Sequence, residues 1–126
     1  MGTDLAALFE HYAERYMASD AEAVVDLCGT PFLAVRGGMP IPLGDRAALV
    51  DHFAGVMAAY RASGAVAADI EGLEVLEQGD SAALVTIHWR VRAADGGVVR
   101  DFRTSYQLIG PDPWRILGYV NHDTVH

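Results

Sequence analysis

Apolar residues recur with a helical period in the first half of the chain and with a period of two from Ala65 onward. Leu5, Leu8, Phe9, Tyr12 and Tyr16 fall at three- and four-residue steps, which predicts one apolar stripe on a helix that Thr3 or Asp4 can cap. Both tyrosines then face inward. Ser19-Asp20-Ala21-Glu22 reads as a capping box, with Ser19 as the cap of a short second helix carrying Val24, Val25, Leu27 and Cys28. Gly29 and Pro31 are expected to end it. Phe32–Arg36 predicts a short strand, Gly37-Gly38 a turn, and Met39–Leu43 an edge strand, because Pro40 and Pro42 cannot donate to a ladder. Asp45 caps a third helix running to about Ser63, with Leu49, Phe53, Val56 and Tyr60 on one face and Gly64 closing it. His52 falls at the edge of that face, where it either lines a cavity or meets solvent.

In the second half, Val66, Ala68 and Ile70 alternate with polar or small residues, and after Gly72 the apolar parity flips to Leu73 and Val75. A glycine at a parity flip predicts a β-bulge. Asp95-Gly96 predicts a two-residue hairpin loop, so that opposed residues carry numbers summing to 191. That register pairs Trp89 with Phe102, Ile87 with Thr104, Val85 with Tyr106 and Ala83 with Leu108 on one face. The other face pairs Arg90 with Asp101, His88 with Arg103, Thr86 with Ser105 and Leu84 with Gln107. One face is apolar and aromatic, the other polar, whereas a one-residue slip would mix them. The aromatic face is therefore expected to meet the helices. The last strand is expected over Trp114–Val120, with Asn121-His122-Asp123 as a polar cluster where a pocket rim could lie.

At 126 residues the chain is expected to be a single domain, 1–126, and its 52% apolar content predicts a folded one with surplus apolar surface that favours self-association. The formal charge is −8 and all nine basic residues are Arg, a balance that speaks against binding a nucleic-acid backbone. The single Cys28 excludes an internal disulfide and fits a reducing compartment. Met1–Tyr12 lacks the pattern of a secretory leader, and no apolar run approaches the ~20 residues of a membrane span. A cytoplasmic protein with no membrane partner is expected. Nucleotide binding lacks a Gly-rich phosphate loop, and no cofactor is implied. His122 and His126 have a metal-like spacing but no helix signal around them, so no metal site is predicted.

The order of elements resembles the nuclear transport factor 2-like superfamily, which includes ketosteroid isomerase-like, polyketide cyclase-like and limonene epoxide hydrolase-like proteins. The residues that carry the resemblance are Leu43-Gly44-Asp45-Arg46-Ala47-Ala48-Leu49 at the third helix and Gly79-Asp80-Ser81-Ala82-Ala83-Leu84-Val85 at the entry to the meander. Pro113-Trp114-Arg115-Ile116-Leu117 followed by Asn121-His122 matches the closing strand. The resemblance implies an α+β fold: a curved mixed or antiparallel sheet forming a half-barrel wrapped by three helices, with a cone-shaped pocket. It also implies a homodimer formed through the sheet, which here would use the face bearing His88, Arg90, Asp101 and Arg103. Isomerase-like members use a first-helix tyrosine as oxyanion donor, and Tyr12 or Tyr16 occupies comparable territory. Their general base is a carboxylate near the first strand, and Thr30–Leu43 contains none. Asp101, the nearest match to their second oxyanion donor, faces Arg90 in the expected register, which favours its ionised form.

Tyr12, Tyr16, Phe53, Trp89, Phe102 and Tyr106 are the expected lining for a small hydrophobic ligand, or else simply core. Tyr12, Tyr16, His122 and Asp123 are the catalytic candidates, with His122 beside Asp123 as a general base or, more blandly, a satisfied strand-end histidine. Two functions remain from the sequence. A non-catalytic ligand-binding or dimerisation module is favoured slightly by the missing first-strand acid. The alternative is a cofactor-free isomerase, dehydratase or cyclase acting on a small hydrophobic substrate.

Overall fold

A computed structural model describes residues 2–122, and the side chains of residues 4–122. Helix α1 spans Gly2–Met17, α2 Ala21–Val25 and α3 Arg46–Ala62. The strands are β1 Cys28–Arg36, β2 Met39–Leu43, β3 Ala65–Glu77, β4 Ala82–Ala93, β5 Val98–Ile109 and β6 Arg115–Asn121. They form one open sheet in the order β2-β1-β6-β5-β4-β3, antiparallel throughout except for the parallel β1–β6 pair. This is the expected α+β architecture, with a mixed sheet and three helices. The two prolines of β2 lie on the edge strand, where no neighbour needs their missing amides.

The apolar stripes fold as their spacing dictates. Leu5 and Phe9 of α1, and Leu49, Phe53 and Met57 of α3, are buried against the inner face of the sheet, where Val85, Ile87 and Leu108 are fully covered. Alternation in β4 is unbroken, each odd-numbered residue from Ala83 to Val91 being buried. Asp45 caps α3 by accepting from the Ala48 amide at 2.9 Å, and Gly64 closes it in a left-handed conformation (φ 88°).

Two local expectations are corrected. Ser19 is not the cap of α2. It takes a positive φ of 60° between the helices, and Asp20 accepts from the Ala23 amide at 3.1 Å instead. Glu22 is thereby released to pair with Arg46 at 2.9 Å. Cys28 and Gly29 do not end α2 but begin β1, which is longer than the apolar pattern indicated. Gly29 belongs there because a side chain would collide with Leu117 on the neighbouring strand, its Cβ falling 2.9 Å from Leu117 Cδ2. Gly118 is needed more strictly, since a Cβ would stand 2.6 Å from the Leu33 carbonyl oxygen where β1 and β6 run side by side.

The central hairpin has every pairing that the 191 sum requires, from Ala83 with Leu108 to Arg90 with Asp101. The loop that produces it differs from the two-residue expectation. Gly96 donates to the Ala93 carbonyl and the Ala93 amide donates to Gly97, so the tip carries one residue more, with Gly96 left-handed (φ 86°). That geometry alone would shift the register by one. The ladder moves back between Arg92–Val98 and Val91–Arg100, where Val99 is the extra residue of a bulge. Two departures from the simple hairpin cancel. The expected bulge near Gly72 is also present, with Glu71 extruded between the Ile70–Trp89 and Gly72–His88 pairs.

Candidate functional site

A cavity opens between α1, α3 and the concave side of the sheet, at the end where α1 and α3 finish and β1 and β6 emerge. The space available to the centre of a water molecule inside it is ≈ 40 Å³; with the solvent-open mouth the unoccupied volume reaches ≈ 480 Å³. Tyr12, Tyr16, Phe53, Trp89, Phe102 and Tyr106, six residues from four elements, all border it. Their rings pack edge to face or tilted: Tyr12 stands 5.6 Å from Tyr106 and 6.2 Å from Trp89, and Tyr16 6.1 Å from Phe53, between ring centroids. Trp89 Nε1 donates to the Tyr106 hydroxyl at 2.9 Å, so the deepest polar atoms are matched to one another.

The polar part of the lining comes from residues that periodicity did not single out. Arg36, at the end of β1, follows Phe32 and Ala34 on the inward face. Its Nη1 donates to the Tyr119 hydroxyl at 3.3 Å, and His52 Nε2 meets the same hydroxyl at 2.6 Å. Tyr60 borders the cavity from α3 and accepts from Arg100 Nη1 at 2.8 Å, while the Arg100 guanidinium lies 4.0 Å above the Phe102 ring. Thr104 donates to Asn121 Oδ1 at 2.9 Å, both buried in the wall.

A break in β6 decides which of its residues reach this cavity. The register shifts between Leu108–Ile116 and Gln107–Gly118, leaving Leu117 as an extra residue. Trp114 and Ile116 are buried before the shift, and Tyr119 and Asn121 after it. On an unbroken strand the inward set would have continued through Gly118, Val120 and His122. With the bulge, Val120 and His122 fall on the outer face. His122 Nε2 lies 2.9 Å from Ser105 Oγ, which is itself 2.7 Å from Thr86 Oγ1. His122 is thus a satisfied strand-end histidine away from the cavity, which it does not border. Asp123 lies outside the described residues.

Burial sets the protonation states. It raises the phenols of Tyr12, Tyr16 and Tyr106 above the ordinary tyrosine range, reinforced by neighbouring phenols at Tyr12 and Tyr16 and opposed at Tyr106 by the hydrogen bonds with Trp89 and Tyr12, so all three stay protonated at neutral pH. Burial also raises Tyr119, although the Arg36 hydrogen bond and charge oppose it. His52 is held below its ordinary range, first by burial and then by the Arg36 charge. With its hydrogen on Nδ1, a neutral His52 accepts a hydrogen bond from the Tyr119 hydroxyl, whose oxygen accepts from Arg36. The Cys28 thiol is pushed up to about 12 by burial and donates to the Val24 carbonyl, the behaviour of a packing residue. Among the described residues, no carboxylate lines the cavity and no metal-ligating cluster of three His, Cys, Asp or Glu occurs.

The outer face carries a separate network. Asp101 bridges His88 at 2.5 Å and Arg90 at 3.3 Å, and Arg90 reaches Glu71 at 3.3 Å. His88 therefore pairs diagonally with Asp101, although Arg103 is the residue directly opposite. The hydrogen bond from His88, followed by its charge and the contacts with Arg90, holds Asp101 below the usual carboxylate range. Asp101 is ionised and faces away from the cavity.

The model of the family described as NTF2-like protein (DUF6841) matches residues 3–124. No curated protein matches the chain. Among solved structures, an NTF2-like protein with a cystatin-like fold from Novosphingobium aromaticivorans superposes with a TM-score of 0.75 at 23% identity, over 94% of this chain and 79% of that one. A protein provisionally named a ketosteroid isomerase, from Shewanella frigidimarina, superposes at 0.72 with 11% identity over 94% of each chain. One provisionally named a dehydratase, from Streptomyces avermitilis, does so at 0.67 with 17% identity, over 98% of this chain and 96% of that one. At such identities the likeness is one of fold.

Proposed function

The chain belongs to the NTF2-like family DUF6841, and within that fold we propose that it is a non-catalytic module binding a small hydrophobic ligand between helices and sheet. One observation carries the reading: the cavity is walled by aromatic rings and, among the described residues, its lining includes no carboxylate. Isomerase-type proton abstraction needs a base in hydrogen-bond reach of the substrate carbon. The lining supplies hydroxyl, indole and guanidinium donors in its place. Tyr12, Tyr16, Phe53, Trp89, Phe102 and Tyr106 are the proposed ligand contacts. The buried thiol of the single cysteine supports a cytoplasmic setting.

A second reading, a cofactor-free isomerase, dehydratase or cyclase, draws support from the His52–Tyr119 contact at 2.6 Å on the cavity wall, a pair able to relay a proton. A screen of flat hydrophobic compounds by thermal denaturation separates the two. Binders should raise the melting temperature saturably, and should be recovered unchanged by NMR after prolonged incubation with the protein. Recovery of an isomerised, dehydrated or cyclised product would transfer the assignment to the second reading.

We also propose that two copies associate through the outer sheet face. Leu33 and Val120 are 47% and 45% exposed on that face, which also carries the Glu71–Arg90–Asp101–His88 network. Apolar residues and an ordered set of charges on one face suit a self-complementary surface.

A further inference from the structure

We infer that the ligand of this pocket is an anion: a flat aromatic or fused-ring molecule bearing a carboxylate, held by Arg36 with Tyr119, its ring system lying among Tyr12, Tyr16, Trp89 and Phe102. The inference rests on the ligand-binding reading above and specifies the chemistry of that same site.

The charges around the cavity carry it. Acidic residues outnumber basic ones 17 to 9, and three arginines have carboxylate partners among the described residues: Arg46 binds Glu22 and Asp26, Arg90 binds Glu71 and Asp101, and Arg92 binds Asp69. Arg36 instead borders the cavity. Among the described residues its only side-chain partner is the neutral Tyr119 hydroxyl, at 3.3 Å. Arg100 is similar, its described partners being the Tyr60 hydroxyl and the Phe102 ring. Tyr60 and Phe102 both border the cavity, so Arg100 lies at its edge.

A guanidinium offers five donors in a planar fork, and one long bond to a phenol leaves most of them unused. Withdrawing such a group half-way from water is unfavourable unless an acceptor of opposite charge completes it. A carboxylate is that acceptor, because it takes two parallel N–H bonds from Arg in a single plane. The neighbouring groups agree with this assignment. Tyr16, Tyr60 and Tyr119 carry hydroxyl donors, and no carboxylate among the described lining residues would repel the ligand. The overall charge of −8 makes a local cationic centre necessary for any anion to dwell here. The carboxylate is placed towards Arg36 and the ring edge towards the Trp89–Tyr106 pair, with the solvent-open mouth holding what the inner cavity does not.

Titration calorimetry with 2-naphthoate and its neutral isostere 2-naphthamide tests this. Wild-type protein should bind the carboxylate about tenfold or more tighter than the amide, the difference between a charge-assisted and a neutral pair of hydrogen bonds. Arg36→Gln should abolish that preference by weakening the carboxylate far more than the amide, and Arg36→Lys should restore part of it. Equal or tighter binding of the amide by wild-type protein would overturn the anion assignment and leave the pocket reading intact. Failure of both probes to bind would count against the pocket reading itself and remove the inference with it. Should Arg36→Gln fail to fold, the wild-type comparison repeated at raised salt decides: only the carboxylate should weaken.

Discussion

His52 Nε2 and the Tyr119 hydroxyl stand 2.6 Å apart, joining the middle of α3 to the closing strand across the cavity wall. The contact exists because an extra residue at Leu117 turns Tyr119 inward. It is also the point where Arg36 enters, since the same phenol oxygen accepts from that guanidinium.

Removing the hydroxyl should separate the causes of the His52 shift. Tyr119→Phe is expected to cost about 1 kcal/mol in urea unfolding, the usual loss for one partly buried hydrogen bond. The imidazole should still titrate below its ordinary range by NMR, because burial and the Arg36 charge lower it and both persist without the hydroxyl. Return of His52 to an ordinary value in this variant would contradict that account.

The pH dependence of stability follows from the same group. The folded-state pKa of His52 lies below the unfolded value of roughly 6.5. Between the two values the unfolded chain binds more protons, so stability is fully present above about pH 6.5 and declines as pH falls through the folded value. The groups facing the imidazole are Arg36 from β1, Tyr119 from β6 and the Phe53 ring of its own helix. The urea midpoint of wild type should fall more steeply between pH 7 and 5 than that of His52→Gln. Parallel curves would show that the imidazole is not the source.

Two glycine substitutions should have opposite signs. Gly118→Ala places a methyl group 2.6 Å from the Leu33 carbonyl and must spread β1 from β6, at an expected cost of about 1–3 kcal/mol. Gly55→Ala sits in the exposed interior of α3 with open space around it, and should stabilise by roughly 0.5–1 kcal/mol. Chemical denaturation of the two variants beside wild type measures both.

Association through the outer face predicts a dimer by sedimentation equilibrium at micromolar concentration. The double substitution Leu33→Glu and Val120→Glu should yield a monomer with an unchanged far-ultraviolet spectrum, since both side chains are about half exposed in the isolated chain. A wild-type monomer under these conditions would remove the proposal.

Much of the fold was legible because a strict period of two or of 3.6 survives wherever one face is buried. Val85, Ile87 and Trp89 announced β4, and Leu49 and Phe53 announced α3. The aromatic lining was legible for the same reason. The polar lining was not, because a bulge reverses which residues face inward and leaves only a weak mark in sequence. Gly72 betrayed one such reversal, since the apolar parity changes around it. At Leu117-Gly118 the run Ile116-Leu117-Gly118-Tyr119-Val120 is apolar on both sides, so no parity change shows. Tyr119 and Asn121 were hidden by that run, and His122 was drawn towards the cavity by it. Arg36 carried a readable signal, its two-residue spacing from Ala34 and Phe32. A charged residue on an inward face is simply not what apolar periodicity looks for.

The paired irregularities at the hairpin tip have a consequence for how such a chain tolerates change in length. The residue gained in the loop around Gly96 is taken up again at Val99, so the ladder below Val91–Arg100 is insulated from the tip. The bulge acts as slack in the strand. A deletion of Val99 alone would set Val91–Arg100 directly beneath Arg92–Val98 and leave Phe102 and Thr104 on the side they now occupy. One residue inserted between Arg100 and Phe102, with no bulge there to absorb it, would instead turn both to the opposite side and dismantle one wall of the cavity.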